Sequence, residues 1–272
     1  MKPKSVTSTD NPLLKEYKKL QKNRRYREKK GMIAIEGPNL VLEAIKSGLQ
    51  PAVVFYSAHY QNNKEDAVWL RDLPLTTKKI LLTPSLFKHL TDTKSPQEVA
   101  AIIPHPGLVT KKQEKEVVTN YILMIDRLQD PGNLGSIIRT SVAAGVDKIV
   151  YSNGTVDPYS PKVLRSTAGS IFKIDLEETP DLVTYIRDLK EKSVQVVAAS
   201  SGADCFHWAA EYRRPLALVI GNEAGGVAEE IKAEANLQVA IPMEGLVDSL
   251  NAAAAAAVLL FEIIRPNKRS LS

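Results

Sequence analysis

Residues 121–145 read YILMIDRLQDPGNLGSIIRTSVAAG. The apolar run that opens the stretch is too short for a helix and suits a strand buried on both faces. A polar turn with Pro131, Gly132 and Gly135 follows, and IIRTSVAAG then opens a helical pattern, which places Asn133 in the loop and Arg139 a little over one helical turn past Gly135. Downstream, KIVYS (148–152), VQVVAAS (194–200), LALVIG (216–221) and LQVAIP (237–242) repeat the short β-branched run, and helical patterns alternate with them. This alternation predicts an α/β unit whose mostly parallel sheet is covered by helices on both faces. Ligands of such sheets bind beyond the C-terminal strand ends, so the segments there are the first candidates for chemistry.

Upstream lies a second alternation. MIAIEG (32–37) reads as a strand leading into the helix PNLVLEAIKSG, and PAVVFYS (51–57) as the next strand. KKILLT, a helix around PSLFKHLTD, and the strand EVAAIIP complete a smaller unit ending near Pro104. HPGLVTKKQEKE has Pro, Gly and charge without apolar periodicity and reads as a linker. The 272 residues therefore divide into an N-terminal unit at 1–105, a linker at 106–117 and a second unit at 118–272, each long enough to bury its own core.

Composition excludes several classes. With 44% hydrophobic and 25% charged residues the chain is globular. Its single cysteine, Cys205, permits no internal disulfide, and the four histidines lack metal-ligand spacing, so no metal is expected. The N-terminus has no apolar signal region, and the ten-residue apolar run Ala252–Phe261 is too short to span a bilayer. A cytoplasmic or otherwise reducing compartment, with no membrane association, is the expectation.

Charge is localised. Residues 1–30 carry eleven Lys and Arg against three acids, a net of +8, whereas the whole chain is +5, so the remainder sums to −3. Within NPLLKEYKKLQKNRRYREKKG (11–31), Leu13, Leu14, Tyr17 and Leu20 share one helical stripe, with Asn11 as cap before Pro12. Cations so grouped suit a phosphate backbone, although a solvated surface helix has the same pattern.

Three segments after strands are rich in glycine and polar residues: the turn at 126–135, NEAGGV (222–227) and MEGLVDSLN (243–251), which leads into six alanines. Each alone reads as an ordinary turn. No GxGxxG follows the first strand of the second unit and no P-loop lysine motif is present, which weighs against a dinucleotide-binding dehydrogenase.

Together, in order and spacing, NLGSIIRTSVAAG, LVIGNEAGGV and IPMEGLVDSLNAAAA resemble the three motifs of the SpoU/TrmH-type RNA ribose 2′-O-methyltransferases of the SPOUT superfamily. The resemblance covers roughly residues 118–265, and IEGPNLVLEAI gives the first unit a weaker likeness to the L30e-like substrate-binding domain of some members. It implies a C-terminal trefoil knot, S-adenosylmethionine as methyl donor, RNA as substrate and a homodimer. The implied cofactor positions are Gly221, Ile241 and Leu250, and the implied catalytic positions are Arg139, Asn133, Glu223, Ser249 and Asn251. Arg139 corresponds to the arginine taken in the family as base or phosphate clamp. A guanidinium is a poor base, which favours a clamp on the target phosphate. Glu223 also reads as an acid placed at a helix N-terminus. Family members often continue SLN with a Val-Ser pair, but here Ala252 and Ala253 follow Asn251, so position 253 carries no implied role.

Because the N-terminal unit resembles modules of family members that act on large-subunit RNA, the resemblance implies ribosomal RNA as the substrate. A tRNA methyltransferase and a non-catalytic RNA-binding assembly factor are the competing readings, and binding of S-adenosylmethionine separates an enzyme from the latter. Arg165 and Ser166 in LRSTAGSIFKI (164–174) suit RNA contact or helix packing equally, whereas Trp69, Trp208 and His207 read as packing residues.

Overall fold

The computed structural model describes residues 4–6, 8–63, 67–91, 96–109 and 119–265. The chain forms two compact units, Met1–Glu114 with Tyr159–Phe172, and Lys115–Pro158 with Lys173–Ser272. The segment Tyr159–Phe172, which the sequence pattern leaves inside the second unit, thus groups with the first. The linker expected at 106–117 falls mostly outside the described residues, and its start forms a short helix, Pro106–Val109.

In the first unit the elements run β1 (Lys4–Val6), α1 (Pro12–Lys22), α2 (Arg24–Lys30), β2 (Met32–Glu36), α3 (Pro38–Lys46), β3 (Val53–Ser57) and α4 (Ala58–Asn62). They continue with α5 (Trp69–Asp72), β4 (Lys78–Leu82), α6 (Pro84–Leu90), β5 (Val99–Pro104) and α7 (Pro106–Val109). The sheet order is β1-β4-β3-β5-β2, with β5 antiparallel to β2 and β3 and the other pairs parallel. Asn11 caps α1 by accepting from Leu13 N, and Pro12 opens it. The single basic helix of the sequence reading is broken at Asn23, whose side chain accepts from Tyr26 N and so starts α2. Leu14, Tyr17 and Leu20 are fully buried, and Tyr17 meets Phe55 edge to face at 5.6 Å and donates to Ile35 O.

The second unit contains β6 (Tyr121–Ile125), α8 (Pro131–Ala143) and β7 (Lys148–Ser152); then, after α9 (Pro161–Ser166), which belongs to the first unit, β8 (Asp175–Thr179), α10 (Leu182–Glu191) and β9 (Gln195–Ala199). It ends with β10 (Leu216–Ile220), α11 (Glu229–Glu234), β11 (Leu237–Val239) and α12 (Ala252–Ile264). All six described strands are parallel, in the order β11-β9-β10-β6-β7-β8. The strand β8 escapes the apolar pattern because three of the five residues of DLEET are acidic and it sits at the sheet edge, with Leu176 and Thr179 buried. From β6 the chain moves to β7 on one side, whereas β9 and β11 lie on the other side of β10. A doubly wound sheet is expected to bind at the adjacent C-terminal ends of β6 and β10, whereas the cavity lies one strand further over, at the ends of β9, β10 and β11.

Tyr121, Leu123, Val196 and Val219 are fully buried along the strands, and α12 packs on α8 and β10. Asn251 caps α12 by accepting from Ala253 N and Ala254 N, so the alanines are the first two turns of the helix. Among the described residues no helix is long and apolar enough to cross a membrane.

Candidate cofactor and catalytic site

The loops after β9, β10 and β11 enclose a cavity of about 370 Å³. Ala199 and Ser201, Gly221 to Val227, Ile241 and Met243, and the Asp248–Leu250 stretch line it, with the first turns of α12 behind. A small-molecule site of this size and mixed polarity at strand ends fits ordinary ligand pockets. Gly221, Ile241, Leu250 and Ser249 are all brought to this cavity. Gly221 tolerates no side chain, because a Cβ there would lie 1.9 Å from the carbonyl carbon of Gly226. That closeness lets Asn222 and Gly226 exchange backbone hydrogen bonds of 3.0 and 2.9 Å, which folds NEAGGV into a tight loop on the pocket wall.

Beside the cavity, three candidate residues form a chain of hydrogen bonds. Glu223 Oε1 accepts from the Asn133 amide at 3.0 Å and from Asp130 N at 2.9 Å, and Oε2 accepts from Gln129 N at 3.2 Å. Asn133 Oδ1 in turn accepts from Asn251 Nδ2 at 2.8 Å. Burial alone would raise the Glu223 pKa, but donation from Asn133, Asp130 and Gln129 outweighs it and holds the carboxyl below its ordinary range. Glu223 does serve a helix N-terminus, though not its own: its acceptors meet the amides that precede α8.

Asn133 is not in a loop, as the sequence pattern places it. Asp130 accepts from Asn133 N at 2.8 Å and Pro131 supplies the first helical residue, so α8 starts earlier and Asn133 lies in its first turn. Arg139 is exposed on α8 and does not line the cavity, and its side chain forms no hydrogen bond or ion pair with a described residue. Ser249 is exposed on the pocket loop. Four of the five catalytic candidates thus lie in or beside the pocket region, and Arg139 stands apart.

Sequence reasoning passes over Asp126, Arg127 and Asn222. Asp126 is a buried carboxylate at the end of β6, paired with Arg127 at 2.9 Å, and Arg127 has a left-handed φ of 51°. The only local signal is a polar pair at the end of a strand that is otherwise apolar. Elsewhere, Arg165 lies 3.8 Å from the buried Glu36 and Ser166 donates to Lys162 O. Trp69 donates to Tyr60 Oη, whereas Trp208 is half exposed against Phe206 and His207. Among the described residues no group of His, Cys, Asp and Glu could hold a metal ion.

The fold and site define an α/β domain whose parallel sheet presents the loops after β9, β10 and β11 around one cavity at its strand ends. Residues 120–261 match the SpoU rRNA Methylase family, and residues 11–101 match the MRM3-like substrate binding domain. The chain belongs to the SpoU rRNA methylase family. It is 33% identical over 261 residues to the 23S rRNA (guanosine(2553)-2′-O)-methyltransferase RlmP of Bacillus subtilis (strain 168), covering 96% of this chain and 99% of that protein. It is 29% identical to the mitochondrial rRNA methyltransferase 3 of Homo sapiens, over 89% of this chain and 69% of that one. Among solved structures, the SpoU methyltransferase AviRb from Streptomyces viridochromogenes in complex with AdoMet matches with a TM-score of 0.83 and 27% identity, over 95% of this chain and 99% of that one. The chain is an RNA ribose 2′-O-methyltransferase of this family with S-adenosylmethionine as methyl donor. The cavity's size, its backbone-rich glycine wall and its apolar Ile241 and Leu250 fit such a cofactor.

Proposed function

We propose that the chain methylates a ribose 2′-oxygen in large-subunit, 23S-type ribosomal RNA. The observation that carries the reading is the hydrogen-bonded run Glu223–Asn133–Asn251, which joins the three motif segments into one constellation beside the cavity. Full-length similarity to the RlmP-named relative, including its N-terminal part, supports ribosomal RNA over tRNA.

Gly221, Ile241 and Leu250 hold S-adenosylmethionine, which when bound supplies the methyl group as an electrophile on sulfur. Positioning a 2′-hydroxyl in line with it accounts for much of the rate enhancement, on the order of 7–11 kcal/mol in favourable cases. Asn133, Glu223, Ser249 and Asn251 orient the ribose by hydrogen bonds. Arg139, exposed and without a partner among the described residues, clamps the target phosphate and stabilises the developing alkoxide.

The first unit, with its basic helices α1 and α2, binds RNA, as its match to a substrate-binding domain supports. A homodimer is supported by apolar side chains left outside on the second unit, Val247 at 61% exposure and Phe261 at 46%. The trefoil knot expected of the family belongs to the same reading: the pocket is built from loops after three strands together with the start of α12. We place the enzyme in the cytoplasm, noting that the human relative is mitochondrial. Mapping ribose methylation across total RNA with and without the gene tests the assignment. Loss of one site in large-subunit RNA is the expected result, and loss in tRNA alone overturns it.

A further inference from the structure

The wall of the cavity formed by residues 221–227 is tied at both ends to one dipeptide. At its start, Asn222 Nδ2 donates to Arg127 O at 2.7 Å, while Asn222 Oδ1 accepts from Ala224 N at 2.9 Å and Gly225 N at 3.3 Å. At its end, Ala228 N donates to Asp126 Oδ2 at 3.1 Å. The dipeptide is itself fixed: the Arg127 guanidinium grips both Asp126 oxygens at 2.9 and 3.0 Å, and Arg127 N donates to Ser152 Oγ at 2.9 Å. Asp126 is 2% exposed, and Arg127 holds a backbone conformation that non-glycine residues seldom adopt. A buried carboxylate and a strained backbone persist only where surrounding bonds over-determine them, and here those bonds converge on the pocket loop.

We infer that Asp126, Arg127 and Asn222 form a clamp that sets the shape of the 221–227 loop, and that they are positioning residues for S-adenosylmethionine binding. None of them needs to touch the cofactor. The left-handed turn at Arg127 aims its carbonyl at the Asn222 amide, and the ion pair with Asp126 holds that turn in place. This rests on the reading of the cavity as the cofactor site.

Asn222→Asp is the sharpest test. It keeps the acceptor for Ala224 N and Gly225 N but sets an oxygen, not an N–H, against the Arg127 carbonyl. An ionised Asp there repels that carbonyl, whereas a protonated Asp donates to it and restores the bond. Calorimetric titration of the full-length protein with S-adenosylmethionine should show about tenfold weaker binding by the variant near about pH 8. The deficit should shrink to about threefold or less near about pH 4, where an ordinary aspartate carboxyl takes up a proton. A deficit that is absent at the higher pH, or that stays constant as pH falls, overturns the clamp. Arg127→Ala is the second variant, needed if the first does not fold. It frees the Asp126 carboxylate and should weaken cofactor binding about fivefold or more, and unchanged affinity overturns the proposal. Failure of the wild-type protein to bind S-adenosylmethionine would instead overturn the assignment of the cavity.

Discussion

Asn251 Nδ2 donates to Asn133 Oδ1 at 2.8 Å, a bond that spans 118 residues of sequence and links the cap of α12 to the first turn of α8. The same Asn251 uses its Oδ1 to cap α12, so one side chain has a structural end and a site-facing end. The two are separable. Asn251→Asp keeps the capping oxygen but replaces the donor with a second oxygen against Asn133 Oδ1. The stronger cap of a carboxylate offsets that repulsion at this exposed position, so folding stability should hold to within about 0.5 kcal/mol while methyl transfer falls by about tenfold or more. Asn251→Ala removes cap and donor and should also cost about 1 kcal/mol of stability. Denaturant unfolding beside a methyl-transfer assay reads the two effects, and equal activity of the Asp variant and wild type would refute the site role.

Glu223 gives the network a pH dependence. Its donors hold the folded-state pKa below the ordinary value of 4.5 despite partial burial. A group with a depressed folded pKa adds stability above its unfolded value and loses it as pH falls through the folded one. Wild type should therefore exceed Glu223→Gln in stability above about pH 5, and the gap should close as pH drops below the ordinary carboxylate range. Urea unfolding at stepped pH measures the gap. A gap that is constant down to acid pH shows that the carboxylate charge is not what the amides and Asn133 recognise.

Arg139 is exposed on α8, and no described residue neutralises it. Arg139→Ala should reduce methyl transfer by about a hundredfold or more, the scale of losing one charge-stabilising donor, with cofactor affinity changed no more than a few-fold. Arg139→Lys should recover RNA affinity better than turnover, because a lysine supplies charge without the planar fork. Near-normal turnover in the alanine variant would remove Arg139 from the chemistry.

The strands β2, β3 and β5 and β6, β7, β9 and β10 are legible because their runs are apolar and β-branched on both faces, as strands covered on both sides require. The edge strand β8 is not, since a strand with one solvated side and three acids has no such run. Composition likewise places eleven cations near the N-terminus but cannot tell that Arg27 is buried, with Nη1 donating to Leu20 O and Gln21 O at the end of α1. In the site, the motif residues are legible because their order along the chain is local information. The partners of Asn222 and Ala228 are not, because those bonds join residues about a hundred positions apart and leave no periodic trace.

Gly221 has no room for change. A Cβ would come within 2.2 Å of three backbone atoms of Gly226 and Val227, none of which is a flexible side-chain end. Gly221→Ala should destabilise the fold by about 1–3 kcal/mol, the range of overpacking, and weaken S-adenosylmethionine binding by about tenfold or more. Calorimetry on the folded fraction checks it, and an alanine variant with wild-type affinity would show that the loop's tight turn is not part of the cofactor site.

The cations of α1 and α2 divide by their surroundings. Lys15 pairs with Asp10 and Arg24 with Glu28, and Arg27 is buried, whereas Lys19, Lys22, Arg25, Lys29 and Lys30 have no ion pair with a described residue. Two of these five flank the same ring: Lys19 Nζ lies 4.3 Å and Lys30 Nζ 5.7 Å from the centroid of Tyr26. A phosphate contact releases counterions only where a cation is not already neutralised, and each contact contributes about 0.7–0.9 to the slope of log affinity against log salt. Changing the five unpaired cations to Gln should therefore flatten that slope by up to about 4 and weaken RNA binding at low salt, while cofactor affinity stays constant. Lys15→Gln with Arg24→Gln should change the slope by less than about 1. Arg27→Gln should act on folding instead, because its Nη1 holds two backbone carbonyls in the interior. Filter binding across a salt series separates these cases. An unchanged slope in the five-site variant would show that RNA does not lie on α1 and α2.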